Sequence, residues 1–160
     1  MNQYKEFLKI AKCLADELSI IPILYGSLGL AKLIGKNLNS KDIDILVPQK
    51  YITTEWEQLQ KALSKINYKL ADEKEHEFIC GDSKIGIAYE EDLLPFANVE
   101  YKELKIEDDN GVKYKTLDLF QYRKVYEASK KDSYRLQNKN KKDSEKIEMI
   151  DEYITNHNKI

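Results

Sequence analysis

Hydrophobic and polar positions follow two alternating periods along this chain. Phe7, Ile10, Ala11, Leu14 and Leu18 recur at helical spacing, which predicts an amphipathic helix from about Gln3 to Ser19 lying on one face of a sheet. An apolar run, Ile20 to Tyr25, reads as a short buried strand that breaks at Gly26-Ser27. A helix through Leu28, Leu30, Ala31, Leu33 and Ile34 follows, with Ser27 placed to cap it. In Ser40 to Pro48 the period changes to two, so Asp42 and Asp44 share one face while Ile43 and Ile45 turn into the core. Trp56, Leu59, Leu63 and Ile66 return to helical spacing, with Thr53 or Thr54 as cap and Glu57 completing a capping box from Thr54. A strand around Tyr68 to Leu70 comes next. Glu77 to Cys80 and Lys84 to Tyr89 form a hairpin about Gly81-Asp82-Ser83, and Leu104 to Glu107 and Val112 to Lys115 form another about Asp108-Asp109-Asn110-Gly111. The last third is helical.

Composition narrows the picture. A chain of 160 residues buries one core, so residues 1–160 are expected to form a single domain. Within it, 1–100 would carry the core with the Gly-Ser and Asp-x-Asp segments, and 101–160 the hairpin and helical C-terminal part. The 26 basic and 28 acidic residues leave a net charge of −2, which excludes the global positive field of a general nucleic-acid binder. Any anionic partner must be held locally, and the stretch from Gln121 to Lys146 is locally basic. Most of its lysines read as a solvated helix face, with a loop through Gln137-Asn138-Lys139-Asn140. Cys13 and Cys80 sit in apolar patterns without the spacing of a metal knuckle, so they read as buried thiols of a reducing compartment. No long apolar run offers a signal peptide or a membrane span, and the expected location is cytoplasmic.

Chemistry concentrates in two short segments. Adjacent carboxylates repel and lose solvation when packed together, so Asp42 and Asp44, taken alone, read either as a pair with a cation to hold or as the solvated edge of a strand that ends at Pro48. Gly26 allows a ligand to approach the backbone closely, and the free N–H groups of the helix that follows attract phosphate. Read together, Gly26-Ser27 and Asp42-Ile43-Asp44 are a phosphate seat beside a metal seat.

The ordered pair Tyr25-Gly26-Ser27 and Asp42-Ile43-Asp44-Ile45 resembles the motif of the nucleotidyltransferase superfamily of the DNA polymerase beta type, including its small aminoglycoside-type and toxin or antitoxin-type members. The spacer, Leu28 to Lys41, is slightly longer than in the most compact of them. The resemblance implies an α+β fold, a two-layer α/β arrangement with a mixed central sheet flanked by helices and with C-terminal helices. It also implies an activity: Mg²⁺ or Mn²⁺ held by Asp42 and Asp44, an NTP, with ATP first in line, seated at Gly26 and Ser27, and transfer of its nucleoside monophosphate to a hydroxyl acceptor. A small acceptor is favoured over a protein hydroxyl or an RNA end. Lys124, Arg135 and Lys142 stand where the family's C-terminal helices offer cations to triphosphate or acceptor, and Asp143 would cap the last helix.

One departure bears on catalysis. Active members carry a third carboxylate inside a later central strand, and here the corresponding stretch, Lys84-Ile85-Gly86-Ile87-Ala88-Tyr89-Glu90, has Gly86 in that place. Alternation puts Glu90 on the same face as Gly86, which makes it either the substitute third catalytic and metal-binding acid or simply an acid at the start of the next helical turn. Glu77 on the neighbouring run is the lesser candidate, and His76 reads as a solvated loop residue. The missing acid leaves open a second function: a non-catalytic protein of the same fold that binds a nucleotide or a partner.

Overall fold

The computed structural model describes residues 2–132 and 137–157. Among these, seven strands form one mixed sheet in the order β3-β4-β5-β2-β1-β7-β6. The elements, in chain order, are α1 (Asn2–Leu18), β1 (Ile23–Tyr25), α2 (Gly26–Ile34), β2 (Ile43–Val47), α3 (Trp56–Ser64), β3 (Lys69–Asp72), β4 (Glu77–Cys80), β5 (Ser83–Tyr89), α4 (Leu93–Ala97), β6 (Lys105–Asp109), β7 (Val112–Thr116), α5 (Leu119–Asp132) and α6 (Gln137–His157). At the centre, β2 runs antiparallel to β1 and parallel to β5, while β1 runs parallel to β7.

Alternation along the central strands divides the apolar residues between the two faces of this sheet. Ile43, Ile45 and Val47 join Phe7, Ile10 and Leu14 of α1 and Leu59 and Leu63 of α3 in one cluster. Leu46, on the opposite face, joins Leu93 of α4, Tyr122 of α5 and Ile150 of α6 in another. Phe7, Ile10 and Leu14 are wholly buried, each worth about 1.5–3 kcal/mol of burial, which fixes α1 over the sheet. Phe7 meets Tyr114 of β7 edge to face at 5.1 Å. Asp44 has the parity of Leu46, so its carboxylate faces the side covered by α4, α5 and α6.

Local signals account for most boundaries. Asn110 and Gly111 both take positive φ (52° and 90°) between the paired residues Asp109 and Val112, the geometry a two-residue hairpin loop requires. The Asp108 carboxylate accepts the Gly111 amide at 2.8 Å. Three expectations are corrected. Glu55 rather than a threonine precedes α3, no side-chain cap forms there, and the Thr53 hydroxyl donates to the Gln49 carbonyl instead. A 3-10 turn over Gln49–Ile52 already satisfies the chain at that point. The segment read as a loop over residues 137–140 is the first turn of α6. Consequently Asp143 lies inside that helix, buried, and not at its cap. No helix among the described residues is long and apolar enough to cross a membrane.

Candidate functional site

β1 ends at Tyr25, and the backbone turns at once into α2 through Gly26, whose φ of +67° lies in the left-handed region that favours glycine. Tyr25 is paired with Asp44 across the β1–β2 ladder, and Asp44 with Gly86 across β2–β5. The Asp44 carboxylate is thereby enclosed by two glycines. A Cβ on Gly26 would lie 2.5 Å from Oδ2, and one on Gly86 would lie 2.9 Å from Oδ1. Any larger residue at either position would displace the carboxylate, so Gly86, which stands where a third acid was expected, makes room for the second one. Burial, and then the neighbouring charges of Asp42 and Glu77, raise the Asp44 carboxyl from its ordinary 3.8 to about 6, with Lys84 opposing.

Strand pairing also explains Glu77. It pairs with Gly86 from the other side, so Asp44, Gly86 and Glu77 form one row across β2, β5 and β4. Lys84, also on β5, sets its ammonium 3.2 Å from Glu77 Oε1 and 3.9 Å from Asp42 Oδ2. A cation fits this end of the sheet. A desolvated carboxylate beside two others has an unmet need for positive charge, and the cradle that holds it would be filled by a Cβ on Gly26 or Gly86. Asp42 and Asp44 are the residues that would hold it. Among the described residues no three His, Cys, Asp or Glu side chains are already gathered for one ion, and the Lys84 ammonium answers part of the charge.

Beside Asp44 opens a cleft of about 500 Å³ between the sheet and helices α4 to α6. Gly26, Ser27 and Asp44 line it, together with Tyr25, Tyr126 and, from α6, Lys142 and Asp143. Tyr25, Tyr122 and Tyr126 stack in a column, with ring centroids 6.5 and 6.1 Å apart. At its centre the buried Tyr122 hydroxyl donates to the Leu24 carbonyl at 3.2 Å. That hydroxyl occupies the space of a side chain on Gly29, since a Cβ there would lie 1.9 Å from it. Gly29 is thus a packing requirement of the cleft that sequence reasoning missed. Burial raises the phenols of Tyr25, Tyr122 and Tyr126 far above the ordinary range, so they serve the cleft as neutral rings and hydrogen-bond donors.

The structure brings together some of the sequence candidates and not others. Asp42, Asp44, Gly26 and Ser27 are at one end of the sheet, and Lys142 lines the cleft beside Asp44. The Ser27 hydroxyl does not cap α2; it donates to Ser40 Oγ at 2.7 Å, tying the turn to the loop that leads to Asp42. Lys124 is turned away, donating to the Asn98 carbonyl at 3.3 Å beside a different groove. Glu90 does not join the aspartates. It is buried after the far end of β5, four residues beyond Gly86, roughly 13 Å at strand rise. Its carboxyl is raised by burial and lowered by Lys115 of β7, whose partner Ile23 starts β1. Arg135 lies outside the described residues. Glu77, the lesser candidate, is the carboxylate that shares the row with Asp44. Only the β4–β5–β2 pairing reveals this, because no local pattern relates residue 77 to residue 44.

Comparison with known proteins adds two findings. The chain is 46% identical over 156 residues to the uncharacterized protein YnaI of Bacillus subtilis strain 168, covering 98% of this chain and 100% of that one. Among solved structures it matches the solution structure of the antibiotic-resistance factor ANT(2'')-Ia, reported to have substrate-regulated conformation dynamics. The TM-score is 0.54 at 12% identity, over 98% of this chain and 94% of that one. The fold, a mixed sheet flanked by helices with further helices at the C-terminal end, is therefore shared with that protein. No family model matches the chain.

Proposed function

This chain belongs to the family of Bacillus subtilis YnaI, and we propose that it is a metal-dependent nucleotidyltransferase moving a nucleoside monophosphate from an NTP to a hydroxyl acceptor. The observation that carries the reading is the Asp44 carboxylate, raised by burial and enclosed by Gly26 and Gly86 beside the N-terminus of α2. Folds do not keep a desolvated acid in such a place for stability.

Each group has a part in the reaction. The first amides of α2, which have no intrahelical acceptor, receive the outer phosphates where the helix dipole favours negative charge. Asp42 and Asp44 would hold Mg²⁺ or Mn²⁺, which would supply neutralisation of the negative charge on the phosphates and the departing pyrophosphate. Lys142, which lines the cleft, adds a cation for the phosphates. The neutral ring edges of Tyr25 and Tyr126 provide an apolar, hydrogen-bonding wall for a sugar or a base. The acceptor oxygen attacks the α-phosphorus, the bond from that phosphorus to the bridging oxygen breaks, and pyrophosphate leaves. Glu77, in place of Glu90, takes the hydroxyl proton. ATP is the nucleotide we propose. A small hydroxyl compound suits the cleft's size better than a protein or an RNA end, and the chain's lack of excess positive charge supports the same choice. The fold shared with an antibiotic-resistance factor is in keeping with it.

A second reading has an observation of its own. Lys84 already partners Asp42 and Glu77, which suits a protein of this fold that binds a nucleotide without turnover. Pyrophosphate release distinguishes the two. The intact protein, supplied with each of four NTPs, Mg²⁺ and a panel of small hydroxyl acceptors, should release pyrophosphate only with an acceptor present. Nucleotide binding without release across the panel would favour the non-catalytic reading.

A further inference from the structure

We infer that a second pocket, on the other side of α2 from the Asp44 cleft, binds a small organic phosphate. This cavity, of about 460 Å³, lies between the start of α1 and the loop that follows α2. Lys5, Lys32 and Lys36 all line it, and no aspartate or glutamate does. None of the three makes an ion pair among the described residues.

In a chain with more acidic than basic residues, three ammonium groups that line one concavity without an ion-pair partner among the described residues repel one another. An anion removes that repulsion and gains all three contacts. At the carbonyl end of α2 the amides of Gly35 and Lys36 both donate to the Ala31 carbonyl, at 2.9 and 3.3 Å, which satisfies one of the last carbonyls of the helix without a lysine. Lys32 is held 4.2 Å over the Tyr4 ring, which fixes its head at the cavity wall. The Tyr4 hydroxyl donates to Asp109 at 2.7 Å. Leu28 and Leu38 supply an apolar wall. The pairing of that wall with three cations selects a phosphate ester with an organic body over a bare inorganic ion. Ser40, another lining residue, accepts the Ser27 hydroxyl, so the pocket adjoins the proposed phosphate turn through a single side-chain bond.

The inference does not depend on the proposed activity, and an Asp44→Asn protein should keep this pocket intact. Amide resonances of the full chain, followed by NMR while AMP or inorganic pyrophosphate is added in the presence of EDTA, test it directly. With AMP, the amides of Gln3, Lys5, Lys36 and Asn37 should shift along one saturating curve. Lys5→Gln combined with Lys36→Gln should weaken that curve at least tenfold and leave the thermal midpoint unchanged, because both side chains are exposed. Lys36→Glu alone serves as the second variant and should weaken it as strongly. Three results would overturn the inference: shifts confined to Gly26, Ser27 and Gly86, curves unchanged by the substitutions, or pyrophosphate binding as tightly as AMP.

Discussion

Asp44→Asn should make the isolated protein more stable at neutral pH while removing its capacity for a cation. The Asp44 carboxyl has an ordinary pKa of 3.8 in the unfolded chain and about 6 in the fold. Each tenfold difference in proton affinity is worth about 1.4 kcal/mol, so keeping this group ionised costs the folded state about 3 kcal/mol. The sign follows from linkage. The folded state binds the proton more tightly, so this contribution to stability is complete below about pH 4, is lost as pH rises toward 6, and stays lost above it. Asparagine has nearly the same shape, fits between Gly26 and Gly86, and carries no charge to desolvate. Urea unfolding in EDTA at pH 4 and pH 7.5 is the assay. At pH 7.5 the variant should exceed the parent by about 2–3 kcal/mol, several degrees in Tm for a chain of this length, and the gap should close at pH 4. Adding Mg²⁺ should raise the parent's stability and not the variant's. A variant less stable than the parent at pH 7.5, or a gap independent of pH, would refute the reasoning.

Other substitutions test the cleft's construction. Gly26→Ala combines a left-handed backbone with a Cβ 2.5 Å from Asp44 Oδ2; it should cost about 1–2 kcal/mol by urea unfolding and abolish Mg²⁺ stabilisation. Gly29→Ala should cost about 3 kcal/mol or more, because its methyl would overlap the Tyr122 hydroxyl. Tyr122→Phe alone should cost about 1 kcal/mol for the bond to Leu24, and the pair should cost clearly less than the two changes summed, as a double-mutant cycle would record. Glu90→Gln should leave Mg²⁺ stabilisation unchanged, since Glu90 is buried away from the aspartates. Glu77→Gln should lower the pKa of Asp44, read from its side-chain carbonyl shift by NMR, because it removes a charge that raises it.

What could be read from the sequence was whatever depends on neighbours along the chain. The break at Gly26-Ser27, the alternation that puts Asp44 opposite Ile43 and Ile45, and the Asn110-Gly111 turn are all local, and each forms as expected. The features that escaped depend on residues brought together across the sheet. Gly29 is explained only by Tyr122, and Gly86 only by Asp44, far away along the chain in both cases. Glu90 misled because alternation describes a face and says nothing of which end of the strand the site occupies. Asp143 misled because a polar residue before an apolar helical pattern looks like a cap until the helix is found to begin at Gln137.

The central claim is that Asp42 and Asp44 form a cation-dependent nucleotide site, and calorimetry tests it most directly. ATP titrated into the intact protein should bind only when Mg²⁺ is present, and the protein carrying both Asp42→Asn and Asp44→Asn should show no such binding. Mg²⁺-dependent binding that survives the double change would contradict the claim.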